Sequence, residues 1–174
     1  MWYQALNIEQ HIDTYAPQNK FKKRDFVATE KEQHFQLFEQ VVIAINSHGE
    51  GLDEIFYKTK FRENKLFTKS EVIHLQDVAN LIDTLTLVWL INLIPLAVIA
   101  YFFINNKLPL PSIKLKLQAM AVTIASILLC FAVFGFRKIF YYLHTVVFPD
   151  NHQWFFYYQE SLMSTFMKAP DLFA

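Results

Sequence analysis

Two uninterrupted apolar stretches, Thr84–Ile104 and Leu117–Phe136, constrain this chain more than any other feature. Each is roughly 20 residues long, the length an α-helix needs to cross the hydrocarbon core of a bilayer. Backbone in lipid must satisfy its own hydrogen bonds, so both stretches are expected as helices. The connection between them, Asn105–Lys116, is short, which makes the spans antiparallel. The expected fold is therefore an all-α membrane protein: an antiparallel transmembrane helical hairpin preceded by an amphipathic, extracytoplasmic helical region.

The chain divides accordingly. Residues 1–68 form the extracytoplasmic or interfacial region. Residues 69–104 form a long helix whose span is 84–104, and 105–116 form a cytoplasmic link. Residues 117–147 form a second long helix whose span is 117–136, and 148–174 form an interfacial aromatic segment leading towards a further span. Lys107, Lys114 and Lys116 in the link place it in the cytoplasm under the positive-inside rule, although Arg137 and Lys138 at the opposite end work against that bias. An outer N-terminal region of about 80 residues has to be carried across the membrane. Either the topology is reversed or an upstream span is missing; the second reading is preferred, with residues 1–10 as a remnant of that span and Trp2 and Tyr3 as its interfacial aromatics.

Thr29–Glu32 and Thr68–Glu71 both have the spacing of a capping box. The first should open a helix with Phe35, Phe38, Val41, Val42 and Ile45 along one stripe, ended by Gly49 and Gly51. The second should open a helix that nothing interrupts before Pro95, which lies within the bilayer and bends rather than ends it. The other long helix should stop before Pro149.

Composition excludes several kinds of chemistry. Lys+Arg 16 balance Asp+Glu 16, so no basic field exists for nucleic acid. The cluster Lys20–Arg24 reads as a solvated or headgroup-facing loop. Cys130 is the single cysteine and lies inside a span, which rules out an intrachain disulfide and suits a small apolar filler. The chain has neither a glycine-rich phosphate loop nor a serine nucleophile elbow. HExxH spacing is absent too, and no cofactor and no metal is expected.

The reactive candidates are histidines. His74 lies about 30 residues up the first helix from the link and His144 about 27 up the second, heights of roughly 45 and 40 Å. Antiparallel helices would hold them level above one end of the hairpin. His74 and Asp77 are spaced i, i+3 and share a helix face, where a carboxylate can fix the imidazole tautomer and raise its basicity. His34 and His48 are expected to be solvated; His152 follows the Pro149-Asp150-Asn151 turn and could approach the site, a plain turn residue being the preferred reading. His11 has no assigned place. The aromatic run from Phe140 to Tyr158 suits an interfacial belt, a few of whose rings could line an acyl-chain or headgroup cleft.

Two blocks of sequence suggest a family. One is Glu71-Val72-Ile73-His74-Leu75-Gln76-Asp77-Val78, just before a span. The other is Tyr142-Leu143-His144-Thr145-Val146-Val147-Phe148-Pro149, followed by Trp154, Leu162 and Ala169-Pro170-Asp171-Leu172-Phe173. Together they resemble the bacterial integral-membrane family containing Lit, the lipoprotein intramolecular transacylase. The family typically has four spans, and the chain resembles it from the end of the first span to the start of the fourth.

The resemblance implies acyl migration in the bacterial cytoplasmic membrane, at a site facing the outer side. The sn-2 chain of a diacylglyceryl-cysteine moves to the α-amine of the same cysteine. Membrane lipids and a diacylated lipoprotein would be the partners. On this reading His144 is the general base, while His74, oriented by Asp77, stabilises the oxyanion or relays a proton. Trp154 and Tyr141 would bind substrate. Two other readings compete: a non-catalytic membrane subunit or scaffold, and, ranked lower, an electron-transfer protein with His74 and His144 as axial haem ligands.

Overall fold

The computed structural model describes Gln10, Phe26, residues 29–105, Pro109, residues 111–157 and residues 161–163. The upstream-span remnant (Gln10 apart), His11, the Lys20–Arg24 cluster and the Ala169–Phe173 block lie outside the described residues. In chain order the elements are α1 (Lys31–Asn46), a 3-10 turn (Leu52–Glu54), β1 (Phe56–Lys58), β2 (Glu63–Lys65), α2 (Lys69–Ile104), α3 (Ile113–Phe134) and α4 (Phe136–Val147). The protein is mostly helical, as expected, but a short antiparallel hairpin corrects the all-α reading. Its register pairs Phe56 with Lys65, Tyr57 with Asn64 and Lys58 with Glu63. Two compact units are distinguished: Met1–Asp83 with His144–Ala174, and Thr84–Leu143.

In the first unit α1 differs from expectation at its start. Glu30 is the N-cap and makes no side-chain cap bond. Thr29 donates its hydroxyl to Phe26 O instead, and its oxygen lies 2.6 Å from His34 Nε2. The helix consequently buries His34, Leu37, Val41, Ala44 and Ile45, a face rotated from the expected stripe, and leaves Val42 exposed. His34 stacks on Phe26 with ring centroids 4.5 Å apart, so it is a core residue rather than a solvated one. The core adds Leu52, Ile55, Tyr57, Leu66, Leu75, Ala79, Phe156 and Leu162, so strands, helices and the C-terminal segment share one apolar cluster.

After α1 the chain turns through His48, Gly49 and Gly51, all with positive φ. Gly49 N–H reaches back to Ala44 O. A side chain at Gly49 would collide with the Gln76 amide, because Gln76 Nε2 donates to His48 O and holds this turn against α2. Only glycine meets both the left-handed backbone and the close approach.

The capping box at the start of α2 forms as expected. Glu71 N–H bonds Thr68 Oγ1 and Thr68 N–H bonds Glu71 Oε2. The helix runs from Lys69 to Ile104 and passes through Pro95. Its first part turns Glu71, His74, Leu75 and Ala79 inward, the i, i+3, i+4 spacing of a core-facing stripe.

In the second unit, α2 beyond Thr84 and α3 are apolar all round, and both helices are long and apolar enough to cross a membrane. No part of either apolar window is buried within the protein. Such helices find their solvent in lipid. Ser112 caps α3, accepting from Leu115 N–H at 3.3 Å, so the helix starts before the expected Leu117. The expected single rod to Val147 is also corrected. Gly135, at φ 76 and ψ 141, separates α3 from α4 in a backbone region open to glycine and costly for other residues. A height for His144 counted along one straight rod therefore does not apply.

Candidate functional site

His74 stands on the second turn of α2, carried inward by the face that also buries Leu75 and Ala79. His144 lies in the last turn of α4, whose end is closed by a bond from Phe148 N–H to His144 O. The next residue, Pro149, offers no amide hydrogen and turns the chain, and His152 N–H bonds Pro149 O at 3.0 Å. This turn folds the aromatic segment back over the imidazoles.

Phe148 is the meeting point. Its ring centroid lies 5.0 Å from that of His74 and 5.1 Å from that of His144. Phe156 packs on His74 at 5.8 Å, and Trp154 packs on His144 at 4.9 Å. Both imidazoles thus share one aromatic pocket within the first unit. Tyr141, the other expected substrate contact, belongs to the second unit, where its ring stands edge-on to Phe140.

The pocket sets the charge state of His74. The residue is 9% exposed, and its Nδ1 is buried without a hydrogen-bond partner among the described residues. Burial, assisted by the neighbouring His144, pushes its pKa down to about 4, against a smaller opposing pull from Asp77. At neutral pH His74 is a neutral ring that can donate one proton and accept one.

Asp77 is not bonded to His74. Its Oδ2 pairs with His152 Nδ1 at 2.7 Å, a contact that joins α2 to the Pro149 turn. His152 is a turn residue as expected, but sequence reasoning missed this pairing. Glu71 was noticed only as a helix cap. Its Oε1 also accepts from Ser161 Oγ and, at 3.1 Å, from Met163 N–H, tying the C-terminal segment to the start of α2. The carboxylate is fully buried, and these bonds engage both of its oxygens.

His48 is exposed, as expected. Its Nδ1 lies 2.7 Å from Asp83 Oδ2, and that hydrogen bond, with the Asp83 charge, raises its pKa. Among the described residues no group of three or more His, Cys, Asp or Glu is arranged to hold a metal ion.

Apolar helices suited to lipid, joined in sequence to a unit with two imidazoles in one aromatic pocket, define a helical membrane protein with a candidate acid–base centre. The family model for the lipoprotein intramolecular transacylase Lit matches residues 52–166, about two-thirds of the chain, and the chain belongs to that family. The match takes in His74, Asp77, His144, His152 and Trp154. No curated protein and no solved structure matches the chain.

Proposed function

We propose that this chain moves an O-acyl chain of a diacylglyceryl-cysteine to the α-amine of the same cysteine, with His144 and His74 as its acid–base pair. The observation that carries this reading is the shared Phe148 contact of the two imidazoles, one with a buried Nδ1 that no described residue bonds, in a member of the Lit family.

An α-amine has a pKa of about 8 and must lose its proton to attack an ester. That proton leaves to water; counting from the free amine, His144 takes one of its two remaining protons as the nitrogen adds to the acyl carbonyl carbon. The neutral His74 ring donates its N–H to the developing oxyanion, a role that a ring kept neutral by burial can fill at any pH near 7. Collapse of the intermediate breaks the bond to the glyceryl oxygen, which receives the proton held by His144. One N–C bond replaces one C–O bond and the proton count is unchanged. Donor and acceptor occupy one molecule, so proximity replaces a covalent acyl-enzyme. Trp154 against His144 would line the substrate cleft.

The spans would pack as an antiparallel hairpin with the link in the cytoplasm, leaving the pocket on the outer side of the bacterial cytoplasmic membrane. Lipid and diacylated lipoprotein are then the partners, and no cofactor takes part.

The test is mass spectrometry of a synthetic diacylglyceryl lipopeptide after incubation with the purified chain in phospholipid vesicles. An N-acyl, lyso product formed by the native chain and lost in His144→Ala supports the reading. Unaltered lipopeptide with correctly folded native chain favours a scaffold. A Soret absorption in the purified protein would favour the haem reading.

A further inference from the structure

His74 and Asp77 share a face of α2, one turn apart, where a carboxylate can reach an imidazole. Even so, Asp77 bonds His152, from a segment 75 residues further on, and no described residue bonds His74 Nδ1. We propose that His152 is a positioning residue that holds the Asp77 carboxylate away from His74, so that His74 Nδ1 meets no acid.

The contact has the features of a clamp. Asp77 side-chain exposure is 12% and that of His152 is 31%, so the bond forms at the edge of the pocket rather than in free solvent. The turn that presents His152 is fixed by its own backbone bond to Pro149 O, and it lies between Phe148 and Trp154, the residues that pack on the imidazoles. Among the described residues, the titratable groups whose charge acts on His74 are His144 from α4 and Asp77 on its own helix; Glu71 shares the inward helix face, and His152 reaches Asp77 from the turn. Of these, Glu71 is committed to Thr68, Ser161 and Met163. Asp77 is the one acid whose partner decides what His74 meets. Released from His152, it can accept from His74 Nδ1–H, favouring the charged imidazolium. A charged His74 repels protonation of His144 and so weakens the base.

This inference extends the proposed acid–base role of the pocket, but its primary readout does not depend on that role. His74 is titrated by imidazole NMR in detergent micelles, its signals assigned by their loss in His74→Asn. In His152→Ala the His74 midpoint rises by at least about one pH unit. In His152→Asn it stays at the native value, because the Asn amide can donate from nearly the Nδ1 position. In the double variant His152→Ala with Asp77→Asn the rise disappears. An unchanged midpoint in folded His152→Ala overturns the proposal, as does a rise that persists without the Asp77 charge. If His152→Ala does not fold, a His152→Asn midpoint raised by one unit or more overturns it equally. Transacylation is then measured on the same variants. No product from the native chain itself, with the NMR pattern intact, would refute the function and leave the clamp standing.

Discussion

His74 illustrates how one residue's surroundings determine its chemistry. A solvated histidine titrates near 6.5, whereas burial and a second imidazole bring this one down to about 4. Between those values the unfolded chain binds a proton that the folded chain refuses, so stability falls as pH drops from about 6.5 to about 4 and then levels off. His48 has the opposite sign. Its pKa is raised by Asp83, so that contact stabilises below 6.5 and is lost as pH rises through the raised value. Denaturant midpoints of the micelle-bound protein should therefore decline on acidification from pH 6.5, and His74→Asn should flatten that decline. A decline of the same size in the variant would place its origin in other groups.

Element boundaries show which signals a sequence carries. The capping box at Thr68–Glu71 and the apolar run behind it are local, and α2 forms from Lys69 to Ile104 as they require. The box at Thr29 is equally good as a pattern, yet Phe26 and His34, three and five residues away, recruit that threonine, a local competition the capping pattern does not encode. The three-residue strands are too short to show a period. Gly135 sits between Phe134 and Phe136 at the end of a long apolar run, so hydrophobicity alone passes straight over it. The Asp77–His152 and Glu71–Ser161 bonds span 75 and 90 residues, beyond the reach of any spacing rule. Glu71 yields a prediction about α2. Replacing it by Ala removes one arm of the cap and leaves Ser161 and Met163 N–H without their acceptor, at a cost of about 2–4 kcal/mol. Thermal unfolding in micelles would detect that loss, and a change below about 0.5 kcal/mol would show the buried carboxylate to be dispensable.

For the molecule as a whole, the apolar helices require lipid, and the proposed orientation places the link inside and the histidines outside. Cys130 is the single cysteine, so Cys130→Ala supplies a background without thiols. On that background Gln153→Cys should react with a membrane-impermeant maleimide on intact spheroplasts, and Ser112→Cys only after lysis. The reverse pattern would invert the topology and move the pocket to the cytoplasmic side. The sequence located His74, His144 and Trp154 before any fold was known, because polar groups beside long apolar runs are few. It did not locate the ring that joins the two imidazoles, since Phe148 is one of many aromatics in its segment.

The account stands on two imidazoles acting at one reacting centre, and the rates of His74→Asn, His144→Asn and their double variant test this directly. Groups that act as a unit are not additive, so the double variant should be no slower in forming N-acyl lipopeptide than the worse single variant. Single losses that multiply in the double variant, or single variants that keep native rates, would contradict a shared centre.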